Sequence, residues 1–214
     1  MMDYIITLMP ALLSGLVTTL QVFFITLVLS IPLGILVAIG RLSKFKPLVA
    51  LLQFYIWIMR GTPLLLQIVF IFFGLPIVGI TVERFPAVIV AFSLNYAAYF
   101  GEIFRGGIAA IDKGQYEAAK VLGFTPTKTF FKIILPQMMK IVLPSVANEV
   151  ITLVKDTALV YVVGLGDLLR AGKIASNRDA SLTPLVMVGI FYLGLTAILT
   201  SLFKKLEKRH AYYQ

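Results

Sequence analysis

Leu12 to Ile39 runs without one charged side chain, and this feature constrains the chain more than any other. The hydrocarbon core of a bilayer is about 30 Å thick, and about 20 apolar residues cross it as a helix. No water is available there to satisfy a peptide group, so a continuous apolar run takes the form that satisfies its own N–H and C=O groups. The remaining composition agrees. Of the 214 residues, 59% are hydrophobic and 14% charged, with a mean hydropathy of +0.95, whereas a soluble domain carries about 25% charged residues. The chain therefore reads as an all-α integral membrane protein. Cysteine is absent, which excludes disulfides and thiolate metal sites. Met1-Met2-Asp3 lacks a basic leader region, and no small-residue cleavage site closes a short apolar run, so the first span is expected to be retained.

Five spans are predicted. Leu12–Ile39 is the first, and Ser14, Gly15, Thr18 and Thr19 give it a small face suited to close helix contact. The basic loop from Arg41 to Pro47 belongs in the cytoplasm by the positive-inside rule, which places the N-terminus outside. Leu48 to Ile80 is too long for one straight span and is broken at Arg60-Gly61-Thr62-Pro63. It reads as a single interrupted span whose freed backbone groups need protein or a cavity to cover them. Thr81 to Pro86 is a short outer turn. Ala87–Ile108 is the third span, Met138–Val163 the fourth and Pro184–Phe203 the fifth, with Gly164 to Thr183 an outer amphipathic segment between the last two. Lys204, Lys205, Lys208 and Arg209 then mark a cytoplasmic C-terminus. Thirteen of the 19 Lys and Arg fall on segments placed inside; the exceptions are Arg60, Arg84, Lys155, Arg170, Lys173 and Arg178. That bias accounts for the net charge of +9 without invoking nucleic acid. No repeat or second domain is visible, so residues 1–214 are expected to form one transmembrane domain.

Between the third and fourth spans lies the one long stretch built for water. Lys113, Lys120, Lys128, Lys132 and Lys140 crowd it, with Glu117 near its start. Helix formers from Glu117 to Leu122 meet Gly123, a natural stop. Thr125-Pro126 then reads as a cap followed by proline at the first helical position. A second short helix, Thr127 to Leu135, is expected to close at Pro136. The stretch at about 112–136 is thus a cytoplasmic helix-turn-helix; with no partner it would be an amphipathic interfacial hairpin.

Glu117-Ala118-Ala119, three residues, Gly123, nine residues and Ile133-x-Leu135-Pro136 together resemble the EAA coupling loop of permease subunits of ABC importers. Three further segments are similar to permeases for polar amino acids of the histidine, arginine and glutamine type. They are Arg60-Gly61-Thr62-Pro63-Leu64-Leu65, Ala98 to Ile108, and Lys155-Asp156-Thr157-Ala158-Leu159. Gly101 and Ala158 depart from the usual Ala and Ser. The resemblance implies a multi-pass subunit in a prokaryotic inner membrane that forms the translocation pathway. It implies two copies of an ABC ATPase docked on Glu117, Ala118, Ala119, Gly123 and Pro136. It also implies a second permease chain (a copy or a paralogue), an extracytoplasmic solute-binding protein, and membrane lipid around the spans. ATP and magnesium belong to the partner ATPase and no cofactor is expected in this chain, which is therefore not itself an enzyme. Consistent with that, the glycine spacing from Gly166 to Lys173 is wrong for a phosphate loop, and Ile174 stands where Ser or Thr is needed. The only histidine, His210, lies in the basic tail, away from any metal-ligating or catalytic group.

Ionisable groups inside spans are expensive and need partners, water or a task. Asn95, Tyr99 and Glu102 share one helix face; Glu149, Thr152 and Asp156 share another. Two polar faces in one bundle predict a wet interior that could hold an amino acid, with carboxylates for its cationic groups and Asn95 and Thr152 as donors to its carboxylate. Excess acid there favours a basic amino acid. Alternatively, Glu102 pairs with Arg105 or Arg60, Asp156 pairs with Lys155 or another helix, and Arg60 snorkels beside a plain proline kink. A competing function is an ion- or proton-coupled secondary amino acid transporter using Glu102 or Asp156, although such folds usually come from duplicated halves.

Overall fold

A computed structural model describes residues 2–210 of the chain; Met1 and residues 211–214 lie outside the described residues. Its elements follow the predicted apolar runs. Helix α1 (Met2–Arg41) contains 40 residues, about 60 Å at 1.5 Å per residue, and begins before Leu12 because the apolar pattern continues through Pro10. Helix α2 (Lys46–Gly61) is followed by α3 (Leu64–Val69), which runs on through a π turn (Phe70–Gly74) and a 3-10 turn (Leu75–Val78). The two arms meet at 105°, so the break expected at Arg60-Gly61-Thr62-Pro63 is a sharp corner. Helix α4 (Arg84–Ala109) leads to the water-facing hairpin, α5 (Lys113–Val121) and α6 (Pro126–Thr129). After α7 (Leu135–Asp156) come α8 (Leu168–Asp179) and α9 (Thr183–His210). Among the described residues, four helices are long and apolar enough to cross a bilayer, and the bent α2–α3 pair makes a fifth span if counted as one.

Small residues let α1 and α4 approach closely. A Cβ on Gly34 would sit 2.7 Å from Phe100 Cβ, and one on Gly101 would sit 2.6 Å from Val37 Cγ1. Between helices in lipid, where burial of apolar surface gives little net gain, such close packing is the main source of association. The principal core forms where α1, α4 and α7 meet, around Val22, Phe92, Tyr96, Phe100 and Leu153. A smaller core joins α1, α8 and α9 through Leu12, Leu168 and Val188. At that end Asp167 caps α8, accepting from Leu169 N at 2.9 Å and Arg170 N at 3.3 Å, while Thr19 Oγ1 accepts from Leu168 N at 3.1 Å. Gly15 lies so close to this cap that a Cβ would be 2.8 Å from Asp167 O.

The hairpin matches its prediction in the first arm and departs from it in the second. Asp112 caps α5 through Gly114 N at 2.7 Å. Gly123 adopts φ +75°, and Phe124 N donates back to Ala119 O at 2.9 Å, a left-handed close that glycine makes without a Cβ penalty. Thr125 caps α6. Pro136, however, does not end the second helix. A π turn at Phe130–Ile134, with Leu135 N bonded to Phe130 O, carries the chain past the proline, and the helix runs from Pro126 to Val163 without a break. One extra residue in that turn shifts the hydrogen-bond register next to the ring, which relieves the usual conflict between proline and the preceding turn. The second short helix expected to close at Pro136 is therefore the end of a long helix that includes α7.

Candidate functional site

The corner between α2 and α3 organises the site. A helix broken inside a bilayer frees carbonyls that must find donors. Asn95 Nδ2 donates to Met59 O at 2.8 Å and to Gln67 Oε1 at 3.0 Å. Gln67 Nε2 donates to Met59 O, Thr62 O and Thr62 Oγ1 at 3.0, 3.2 and 2.9 Å. Two amides, one on α4 and one on α3, thus splint the corner, and Tyr55 adds a bond from its hydroxyl to Leu94 O at 2.5 Å. The backbone of the corner is held open to a cavity.

That cavity has a volume of about 500 Å³ and is bounded by the corner from Arg60 to Leu64, by α4, and by α7 with the turn that follows it. Asn95, Tyr99, Glu149, Thr152 and Asp156 all line it, together with Tyr96 and Arg60. Residues from two separate polar faces therefore share one chamber. Its charges are open: among the described residues, Glu149, Asp156 and Arg60 form no ion pair. Arg60 lies over the Tyr99 ring, its guanidinium carbon 5.0 Å from the centroid, which holds a cation in place without neutralising it. Asp156 Oδ2 accepts from the Tyr96 hydroxyl at 2.7 Å.

Two expectations change. Glu102 lies outside the cavity lining and is bound on both sides: Arg105 grips it through Nε at 2.9 Å and Nη2 at 2.8 Å, and Arg41 Nε reaches it at 3.4 Å. It shares a face with Asn95, but seven residues advance a helix about 10.5 Å along its axis, beyond the chamber and level with the end of α1. Asn95 lines the cavity, yet both bonds of its NH₂ group go to the corner. The cation on the cavity wall is Arg60, which the sequence offered within a motif, as a snorkelling side chain or as a partner for Glu102. Tyr96 was missed because its polarity is confined to one oxygen at the tip of an otherwise apolar ring.

Of the expected docking residues, Glu117, Ala118 and Gly123 are exposed on the hairpin and Pro136 is exposed at the start of α7, whereas Ala119 is buried. Val121 and Leu122 are 87% and 73% exposed beside Gly123, an apolar tip among exposed lysines.

Comparison with known proteins gives one consistent set of relatives. Residues 30–212 match the family described as binding-protein-dependent transport system inner membrane component. The chain is 42% identical to an arginine transport system permease protein of Bacillus subtilis (strain 168), over 94% of this chain and 92% of the other. It is 36% identical to a putative glutamine transport system permease protein of Rickettsia conorii, covering 98% of each. Among solved structures, a crystal structure of an amino acid ABC transporter with histidines superposes with a TM-score of 0.89 at 34% identity, over 96% of this chain and 97% of that one.

Proposed function

This chain belongs to the family of binding-protein-dependent transport system inner membrane components, the permease subunits of ABC importers, and from that premise we propose that its cavity passes an amino acid with a cationic side chain. As a family member it is a multi-pass inner-membrane protein and a transport subunit, with ATP hydrolysis on a separate chain. The observation that carries the substrate reading is the set of unpaired charges: two carboxylates and one guanidinium around one chamber. A free amino acid brings one carboxylate and one ammonium group. Arg60 takes the carboxylate, and one acid takes the ammonium. The other acid is left for a second cation, on the side chain of arginine, lysine or a protonated histidine. Charge-assisted hydrogen bonds of this kind are the strong ones, and they gain weight away from bulk water. The chamber falls within the range of about 300–1,000 Å³ common for small-molecule sites. The similarity to an arginine permease supports the same class.

Membership of this family supports the partners of the same reading, and the exposed hairpin offers one of them a docking surface. Two ATPase copies carry ATP and magnesium, each docking on one hairpin around Glu117, Ala118, Ala119, Gly123 and Pro136. A second permease chain, a copy of this one or a paralogue, completes the pathway, and an extracytoplasmic binding protein delivers the amino acid. In this reading the hairpin faces the cytoplasm, the side that the positive-inside rule favours for its lysines. Its second arm is continuous with α7, so displacement of the hairpin by the ATPase is delivered along the helix that bears Glu149, Thr152 and Asp156.

The substrate class is tested by equilibrium binding of labelled amino acids to the purified permease–ATPase complex, without binding protein. Arginine is expected to bind at least about tenfold tighter than citrulline, its neutral near-isostere, since one charged contact distinguishes them. Equal affinities would remove the second acid from the substrate site.

A further inference from the structure

Helix α4 carries a column of aromatic rings at four-residue spacing: Phe92, Tyr96, Phe100 and Phe104. Their centroids follow one another at 6.4, 6.3 and 6.1 Å, and the four are 0%, 2%, 0% and 7% exposed. Three of the rings carry no polar atom. Tyr96 does, and its hydroxyl crosses to α7 to donate to Asp156 Oδ2 at 2.7 Å. This is the only hydrogen bond to the Asp156 side chain among the described residues, and no ion pair supplements it.

A carboxylate on a short side chain can rotate freely unless something fixes it. Here the fixing group is a single hydroxyl at the end of a ring that packing has immobilised. A neutral donor suits the task because it orients the carboxylate without cancelling its charge. A lysine or arginine in that place would satisfy Asp156 and leave nothing for a ligand. With Oδ2 occupied, Oδ1 remains for a cation in the cavity.

We propose that Tyr96 is a positioning residue for substrate selectivity, fixing Asp156 so that its second oxygen meets the cationic side chain of the amino acid. The proposal rests on the cavity reading above and names a residue which that reading does not require. The role is specific to cations. A neutral side chain gains nothing from an oriented carboxylate, so Tyr96 sets the ratio between charged and uncharged ligands rather than the overall affinity.

The test is Tyr96→Phe, which keeps the aromatic column and removes one oxygen. Arginine and citrulline are titrated into the purified permease–ATPase complex. The Kd for arginine is expected to rise about tenfold, the loss of one hydrogen bond to a charged group, while that for citrulline stays within about twofold. A parallel rise for both ligands would reduce Tyr96 to a packing role and overturn the proposal. Unchanged arginine binding would overturn it as well. Asp156→Asn and the double variant separate the causes. If Tyr96 acts through Asp156, adding Tyr96→Phe to Asp156→Asn changes nothing further, whereas additive losses contradict it. If Asp156→Asn abolishes the preference for arginine but Tyr96→Phe spares it, the positioning role falls and the cavity reading stands. If neither variant alters arginine binding, the assignment of Asp156 to the substrate falls with it.

Discussion

Gly123→Trp is expected to abolish ATP-driven uptake while leaving the chain inserted in the membrane. Gly123 closes α5 at φ +75°, and a Cβ built there meets no atom within 4 Å. Steric conflict inside the chain is therefore not the issue. A non-glycine residue in the left-handed region costs roughly 1–2 kcal/mol, which a long helical bundle tolerates. What changes is the outward surface. The indole would stand beside the exposed Val121 and Leu122, on the tip of the hairpin proposed to meet the ATPase. A control separates strain from obstruction: Gly123→Ala carries the same backbone cost and almost no bulk. Uptake into vesicles should fall at least about 100-fold for tryptophan and only a few-fold for alanine, with equal amounts of chain in the membrane. Equal losses for both would show that backbone conformation, not docking, is the sensitive quantity. Unimpaired uptake with tryptophan would remove the hairpin from the ATPase interface.

The second large effect concerns the cavity acids. Glu149→Gln combined with Asp156→Asn removes two negative charges with little change in shape. Both residues lie on α7 at the chamber wall and neither has an ion-pair partner among the described residues. Among the described residues no ion pair is broken by their removal, so the fold should survive. Arginine affinity is expected to drop about 100-fold, about 2.7 kcal/mol, while glutamine, if it binds at all, should be little affected. Glu102→Gln serves as the contrast. That carboxylate sits between Arg41 and Arg105 outside the cavity lining, so its loss should lower thermal stability and leave ligand affinity within about twofold. The outcome is read by isotherms on the purified complex. If Glu102→Gln weakened arginine binding as strongly as the double variant, the boundary of the site drawn here would be wrong.

Much of this architecture could be read from residues alone, for physical reasons that can be named. Apolar runs as long as the bilayer is thick have few alternatives, so α1, α4, α7 and α9 appear where expected. The corner at Gly61-Thr62-Pro63 was legible because proline lacks a donor and glycine resists no bend. The left-handed close at Gly123 was legible for a similar reason. Pro136 does not stop its helix because a π turn six to two residues upstream absorbs the conflict, and nothing local in Phe130–Ile134 announces one. Glu102 misled because helical periodicity gives the face of a residue but not its depth along the axis. The Tyr96–Asp156 bond joins residues 60 apart on two helices, and no pattern within either helix contains it. The amide pair Asn95 and Gln67 shows the same limit: each reads as a polar residue in a span, and only the fold shows that they serve the broken backbone.

The ABC importer assignment also displaces the proton-coupled alternative. A secondary transporter would leave the hairpin without a task, whereas here its second arm and the site-bearing helix are one rod.

The measurement that tests this account most directly is ATPase activity of the permease reconstituted in lipid with its ATPase and binding protein, as amino acids are added one at a time. The account predicts stimulation by arginine or lysine, little by citrulline, and none by any of them in the Gly123→Trp variant. Stimulation by citrulline equal to that by arginine, with the Glu149→Gln and Asp156→Asn double variant behaving as the unmodified chain, would contradict it.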